Sequence, residues 1–129
     1  MKGTYVLVIN LSRRIQIKVG ALGNLSFENG YYCYVGSAMA NAGSSTLINR
    51  ILRHLRNPNL KKIHWHIDYF LKNPNTQIVR LLLLRSKFRM ECEVVNVFKK
   101  EAEYSISKFG SSDCKCESHL LYFRDDLPI

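Results

Sequence analysis

Short apolar runs alternate along the chain with small and polar residues, and the period of each run predicts its element. Gly3 to Asn10 (Gly-Thr-Tyr-Val-Leu-Val-Ile-Asn) is β-branched and aromatic and predicts a strand. Arg14 to Val19 alternates Ile15, Ile17 and Val19 with Arg14, Gln16 and Lys18, the period of a half-buried strand with a basic outer face. Gly20 and Gly23 punctuate, Asn29-Gly30 marks a tight turn, and Tyr31 to Val35 forms an aromatic-rich strand ending at Gly36. The expectation for this stretch is an antiparallel meander.

Ala38 to Ser45 reads as a loop ending in the helix-capping residues Ser44, Ser45 and Thr46. Leu47, Ile48, Ile51, Leu52 and Leu55 then recur at helical spacing as one apolar stripe, while Arg50, Arg53, His54 and Asn57 share another face. Pro58 ends this helix. Lys61 to Leu71 predicts a second, shorter helix containing His64, Trp65, His66 and Asp68, closed by Asn73-Pro74. Thr76 to Leu84 reads as a buried strand, Met90 to Lys100 as a third helix, Phe109 to Cys116 as a loop and His119 to Phe123 as a last strand. No repeat or low-complexity segment interrupts the pattern. The expected fold is a small α+β domain over residues 1–129, an antiparallel sheet flanked by helices.

Composition narrows this picture. At 129 residues the chain has room for one core, and 47% hydrophobic residues with only 3 prolines argue against disorder. Ile78 to Leu84, interrupted by Arg80, falls far short of the roughly 20 apolar residues a membrane helix needs. The apolar stretch Tyr5 to Ile9 lacks a small-residue cleavage site and makes a poor signal peptide. A cytoplasmic protein without membrane contact is expected. The formal charge is +9, and its placement is uneven. Residues 1–65 carry nine Lys/Arg against the single acid Glu28, whereas residues 66–129 are nearly balanced. A surplus confined to one half suggests a polyanion-binding face; solvated lysines and arginines are the plainer explanation.

Without a secretory signal, the four cysteines Cys33, Cys92, Cys114 and Cys116 are expected as reduced, partly buried thiols. Cys114 and Cys116 with His119 form a candidate zinc set, although one residue between paired cysteines is fewer than zinc sites usually show.

Phosphate-binding and acyl-transfer motifs are absent: no G-x-x-x-x-G-K-[ST] loop exists, Gly20-Ala-Leu-Gly23 is no dinucleotide fingerprint, and no serine has a nucleophile-elbow context. What remains is an ordered set. Gly3-Thr4-Tyr5 opens the first strand, Tyr34-Val35-Gly36 closes a later one, Arg50-Ile-Leu-Arg53-His54 lies on a helix, and Glu91 starts a later helix. This order resembles the GIY-YIG nuclease superfamily. The segment Gly30 to Ala38, the Arg-His-Leu-Arg run with Lys61-Lys62 and His64-Trp-His-Ile-Asp-Tyr, and Gly110 to Leu120 resemble a compact prokaryotic branch of it. That branch is labelled a domain of unknown function and is sometimes fused to endonuclease III. The similarity spans nearly the whole chain.

The resemblance implies a metal-dependent endonuclease that hydrolyses DNA phosphodiester bonds, with DNA repair as the expected setting. It implies catalytic roles for Tyr5, Tyr34, Arg50, His54 and His64, and a metal-binding role for Glu91. Phosphodiester hydrolysis needs a positioned water, a group to take its proton, and positive charge where the phosphorane develops. A tyrosine has a pKa of about 10, so a nearby guanidinium and a divalent cation would be needed to favour phenolate. Arg50 would contact the scissile phosphate, with Arg53 as the alternative if the register slips. His54, four residues on, would orient, protonate or assist the tyrosine. His66 competes with His64. Glu91 shares its face with Val94, Val95 and Phe98, where a carboxylate needs a partner; one hard oxygen donor suits a single Mg²⁺ or Mn²⁺.

Arg13, Arg14, Lys18, Arg53, Lys61 and Lys62 are the expected contacts to the DNA backbone. Met39 to Ser45 lengthens the gap before Arg50 and is expected to face substrate. For the family's late asparagine, Asn96 comes too early; Ser111, Ser112 and Asp113 are the candidates to replace it, and His119 is a further candidate active-site residue. The alternative readings are a non-catalytic nucleic-acid-binding domain of the same fold and a zinc-stabilised interaction domain.

Overall fold

The computed structural model describes residues 2–43, 46–56, 63, 65–110 and 116–126. Lys61, Lys62, His64, Ser111, Ser112, Asp113 and Cys114 lie outside the described residues. Among the described residues, seven strands and three α-helices follow in the order β1 (Gly3–Leu11), β2 (Ile15–Lys18), β3 (Asn24–Phe27), β4 (Gly30–Ala38), α1 (Leu47–Leu55), α2 (His66–Leu71), β5 (Thr76–Arg85), α3 (Glu91–Lys99), β6 (Tyr104–Ser105) and β7 (Leu120–Phe123), with a short 3-10 turn at Gly20–Leu22. The fold class is α+β.

Five strands form an antiparallel sheet in the order β5-β1-β4-β7-β6, and β2-β3 form a separate hairpin. The expected meander is therefore corrected. β1 pairs with β4 and not with β2, because the β2-β3 excursion packs its own apolar side (Ile15, Val19 and Phe27) onto the core. β5 is also corrected, from a buried strand to the sheet edge, where Val79, Leu83 and Leu84 remain exposed.

β1 reads as a continuous apolar run because both faces of the sheet are covered. Tyr5, Leu7, Ile9 and Leu11 point into the larger core with Tyr32, Tyr34, Phe27, Phe70 and Phe109, beneath Leu47 and Ile51 of α1 and Ile67 of α2. Val6, Val8, Cys33, Val35, Leu121 and Phe123 pack on the other face, against Val95 of α3.

α1 starts where the caps predict: Thr46 Oγ1 accepts the Asn49 N–H at 3.2 Å. Its orientation differs from expectation. Leu47, Ile51 and His54 are buried, whereas Ile48, Leu52 and Leu55 face out. The helix is turned so that Arg50, Arg53 and His54 face inward, where they bond Ser37, Asp68 and Tyr5. Among the described residues, no helix is long and apolar enough to cross a membrane.

Candidate active site

Register brings the two motif tyrosines together. Tyr5 lies opposite Gly36 and Leu7 opposite Tyr34, so the phenols are diagonal neighbours on the same face of adjacent strands. Gly36 is required there: a Cβ at that position would lie 2.5 Å from Tyr5 Cζ and Oη. Gly110 packs against Tyr34 from a loop. Its φ of 70° favours glycine, and a Cβ would stand 3.2 Å from Tyr34 Cε1. The Gly110 N–H donates to His66 Nδ1 at 2.9 Å, so His66 anchors this loop with an unprotonated nitrogen. Partial burial also lowers the His66 pKa.

His54, buried at 3% exposure, is the hub. Its Nε2 is hydrogen-bonded to Tyr5 Oη at 2.7 Å, and its ring contacts Tyr5, Tyr34 and Trp65 at centroid distances of 5.4, 6.1 and 6.0 Å. A position expected on a polar face thus forms a buried phenol-imidazole pair.

The two arginines part company. Arg50 Nη1 donates to the Ser37 carbonyl at 2.9 Å, and its guanidinium lies 4.7 Å over the Trp65 ring. Its buried Nε has no hydrogen-bond partner among the described residues. Arg53 instead makes two parallel 2.9 Å bonds to Asp68, whose side chain is fully buried, and stacks 4.4 Å over Trp65. Asp68 Oδ2 also accepts the Trp65 N–H at 2.8 Å. Arg53 is thus committed to a structural ion pair, and contact with DNA phosphate would require giving it up.

Glu91 is buried at 9% exposure at the start of α3. Oε1 faces Arg89 Nη1 at 3.5 Å and Oε2 faces His119 Nδ1 at 3.6 Å, so the partner its apolar face demanded is an arginine together with a titratable histidine. Both contacts are longer than hydrogen bonds, so both oxygens retain capacity for a ligand. Burial lowers the His119 pKa and the Glu91 charge opposes that shift. Asn96 is exposed on α3.

Burial pushes the Tyr5 phenol up; the Arg50 guanidinium opposes the shift, while the Glu91 charge adds to it. Tyr34 is raised well above its ordinary value, first by burial and then by Tyr5 and Glu91, with Arg50 opposing. The expectation that a guanidinium favours phenolate holds in sign only. Desolvation wins, and both tyrosines keep their protons in the protein alone.

The charge map also changes. Arg14 pairs with Glu28 at 3.1 Å, and Arg13, Arg14 and Lys18 project from the β2 region, beyond the Leu11 end of β1. Tyr5 is six residues from Leu11, or about 20 Å along an extended strand. Nearer the tyrosines, Lys2, Arg85 and Lys87 line a hollow of about 540 Å³ with Asn41 and Ser86. Sequence reading missed this hollow because Arg85 and Lys87 belong to the half that is nearly balanced in charge; the Gly3-Arg85 pairing brings them to Lys2. Trp65, Asp68 and Arg89 likewise join the site only through the fold, Trp65 beneath both arginines and Arg89 beside Glu91.

The cysteine expectation is corrected. Cys92 and Cys116 form a disulfide, with Cα atoms 5.6 Å apart, while Cys33 is a buried free thiol. Helix α3 places Cys92 beside the loop that enters β7, a proximity that no spacing in the sequence encodes.

The family model described as a domain of unknown function, DUF123, matches residues 4–128. No curated protein and no solved structure matches the chain.

Proposed function

We propose that this chain, which belongs to the DUF123 family of domains of unknown function, is a GIY-YIG-type endonuclease that hydrolyses DNA phosphodiester bonds. The observation that carries this reading is the buried Tyr5-His54 hydrogen bond, within the field of Arg50, whose Nε lacks a partner among the described residues. A core needs neither a phenol-imidazole pair nor an unsatisfied guanidinium donor, and both together suit proton transfer beside an anion.

The raised phenols shape the mechanism. Tyr5 acts as a relay: its oxygen takes a proton from the attacking water as its own proton passes to His54 Nε2, which avoids a buried phenolate. Tyr34, on the neighbouring strand, orients the water. Arg50 sets its guanidinium against the phosphate oxygens, held in place by Ser37 and Trp65. Glu91 is the residue that would hold a divalent ion, and its remaining lone pairs fit one Mg²⁺ or Mn²⁺ bound through one carboxylate and water. When bound, that ion supplies further positive charge against the phosphate. The Lys2, Arg85 and Lys87 hollow would receive a neighbouring backbone phosphate.

Nicking of supercoiled plasmid and of branched DNA with Mg²⁺ or Mn²⁺ tests the reading, wild type beside Glu91→Gln and Tyr34→Phe. Each substitution is expected to lower the rate by about 10²-fold or more. Cleavage that survives both, or no cleavage of any substrate, overturns it. Salt-dependent binding without cleavage would instead favour a non-catalytic nucleic-acid-binding domain.

A further inference from the structure

We infer that the reduced chain carries a second metal site, a thiolate-rich centre for Zn²⁺ formed by Cys92 Sγ, Cys116 Sγ and His119 Nε2. The ligand atoms of these three residues all lie within 4.8 Å of one another. Zinc-sulfur bonds of about 2.3 Å and zinc-nitrogen bonds of about 2.0 Å put tetrahedral ligand atoms roughly 3.5–3.8 Å apart, so little movement is needed. His119 Nε2 is already 3.2 Å from Cys116 Sγ.

The arrangement around the histidine is what separates this group from a disulfide with a chance neighbour. His119 is buried at 1% exposure, and its two ring nitrogens face opposite ways: Nε2 toward Cys116 Sγ, Nδ1 toward Glu91 Oε2. A metal-bound histidine commonly turns its other ring nitrogen to a carboxylate, which fixes the ring and raises its donor strength. The ligands come from two elements far apart in sequence, the first turn of α3 and the approach to β7. A metal there would tie the helix that carries Glu91 to the central sheet.

Access is provided. A cavity of about 360 Å³ opens onto Cys92 and Cys116 and is bordered by Lys99, Ser105, Glu117 and Ser118. It leaves space for the water that would complete a four-coordinate site. Soft sulfur donors select Zn²⁺ over the hard Mg²⁺, so this centre and a hard-cation site at Glu91 are chemically distinct.

Disulfide and metal are alternative states of the same two sulfurs. Reduction by a dithiol transfers two electrons and two protons to the Cys92-Cys116 bond, giving two thiols and the cyclic disulfide of the reductant. Zn²⁺ then displaces the two thiol protons.

The test uses the whole chain, reduced with dithiothreitol, desalted without oxygen and titrated with Zn²⁺ or with Co²⁺ as a spectroscopic probe. The reduced protein is expected to take up one equivalent and to show a thiolate-to-cobalt charge-transfer band, whereas the disulfide form takes up none. Cys92→Ser and Cys116→Ser should each abolish the band, and Glu91→Gln should weaken Zn²⁺ binding by about 10–100-fold. No uptake by a chain whose thiols are shown to be free overturns the inference. So does binding that survives loss of both cysteines, or binding that depends on Cys114 but not on Cys92. The comparison of oxidised and reduced wild type keeps the test valid should a variant fail to fold. None of these outcomes depends on DNA cleavage.

Discussion

At the scale of single residues, the site is built from groups that satisfy one another before they meet any substrate. Arg53 and Asp68 illustrate the consequence. Both look like exposed helix charges in the sequence, yet Asp68 has no exposed side-chain surface and Arg53 meets it with two bonds. Arg53→Ala removes two charge-assisted bonds from a buried carboxylate and should destabilise the fold by about 3 kcal/mol, measured by urea denaturation. If Arg53 served only DNA phosphate, stability would be unchanged and binding alone would fall. Gly36→Ala tests the close approach of the phenol: the new methyl must displace the Tyr5 ring, and a loss of about 1–3 kcal/mol is expected. Tyr5→Phe in the Gly36→Ala background separates steric cost from the hydroxyl, since the clash includes Cζ as well as Oη.

At the scale of elements, two placements decide the chemistry. The first is the turn of α1 that buries His54 and leaves Leu52 and Leu55 outside. The second is the loop held by the Gly110 N–H on His66 Nδ1. His66 has a lowered pKa, so the folded protein favours the neutral ring while the unfolded chain protonates near 6.5. Its contribution is present above that value and is lost as pH falls below it. Hydrogen exchange at the Gly110 amide should therefore accelerate, relative to a neutral-pH reference corrected for intrinsic rates, as pH drops from about 7 toward about 5; protection that stays constant would contradict this. The pairing of β1 with β5 makes a further element-level prediction. On the proposed function, Arg85→Ala with Lys87→Ala should weaken DNA binding across sequences and reduce its salt dependence by about one unit of slope for each phosphate no longer neutralised. Equal affinity and an unchanged slope would exclude the hollow as a phosphate site.

At the scale of the whole molecule, burial of acidic groups sets an alkaline limit. Tyr5, Tyr32 and Tyr34 are all raised, chiefly by burial, and burial pushes the Cys33 thiol up to about 12. The unfolded chain loses these protons near their ordinary values, about 8.5 for cysteine and 10 for tyrosine, while the folded chain keeps them. Stability is therefore fully present at lower pH and is lost as pH rises through that range. Urea midpoints should fall from about pH 9 upward, and phenolate absorbance of the buried tyrosines should appear together with unfolding. Phenolate that forms early without unfolding would show that these rings are more accessible than their burial indicates.

Much of the architecture follows from local pattern alone. The strands at Gly3, Ile15 and Tyr31, the capped helix before Pro58, the helix at Glu91 and the α+β class are written in period, caps and turns, which depend on residues close in sequence. The ordered tyrosine, arginine and glutamate set was legible for the same reason: its members are separate short signals in fixed succession. Tertiary structure alone decided which of them meet. It turned His54 inward onto Tyr5, assigned Arg53 to Asp68, and set both phenols above their ordinary values, because desolvation and pairing arise only when distant segments close over one another. The joining of Cys92 to Cys116, and the turn of His119 between Glu91 and sulfur, belong to the same category. Composition counts charges along the chain, whereas the sheet decides where they stand: β1-β5 pairing carries Arg85 and Lys87 from the balanced half to Lys2.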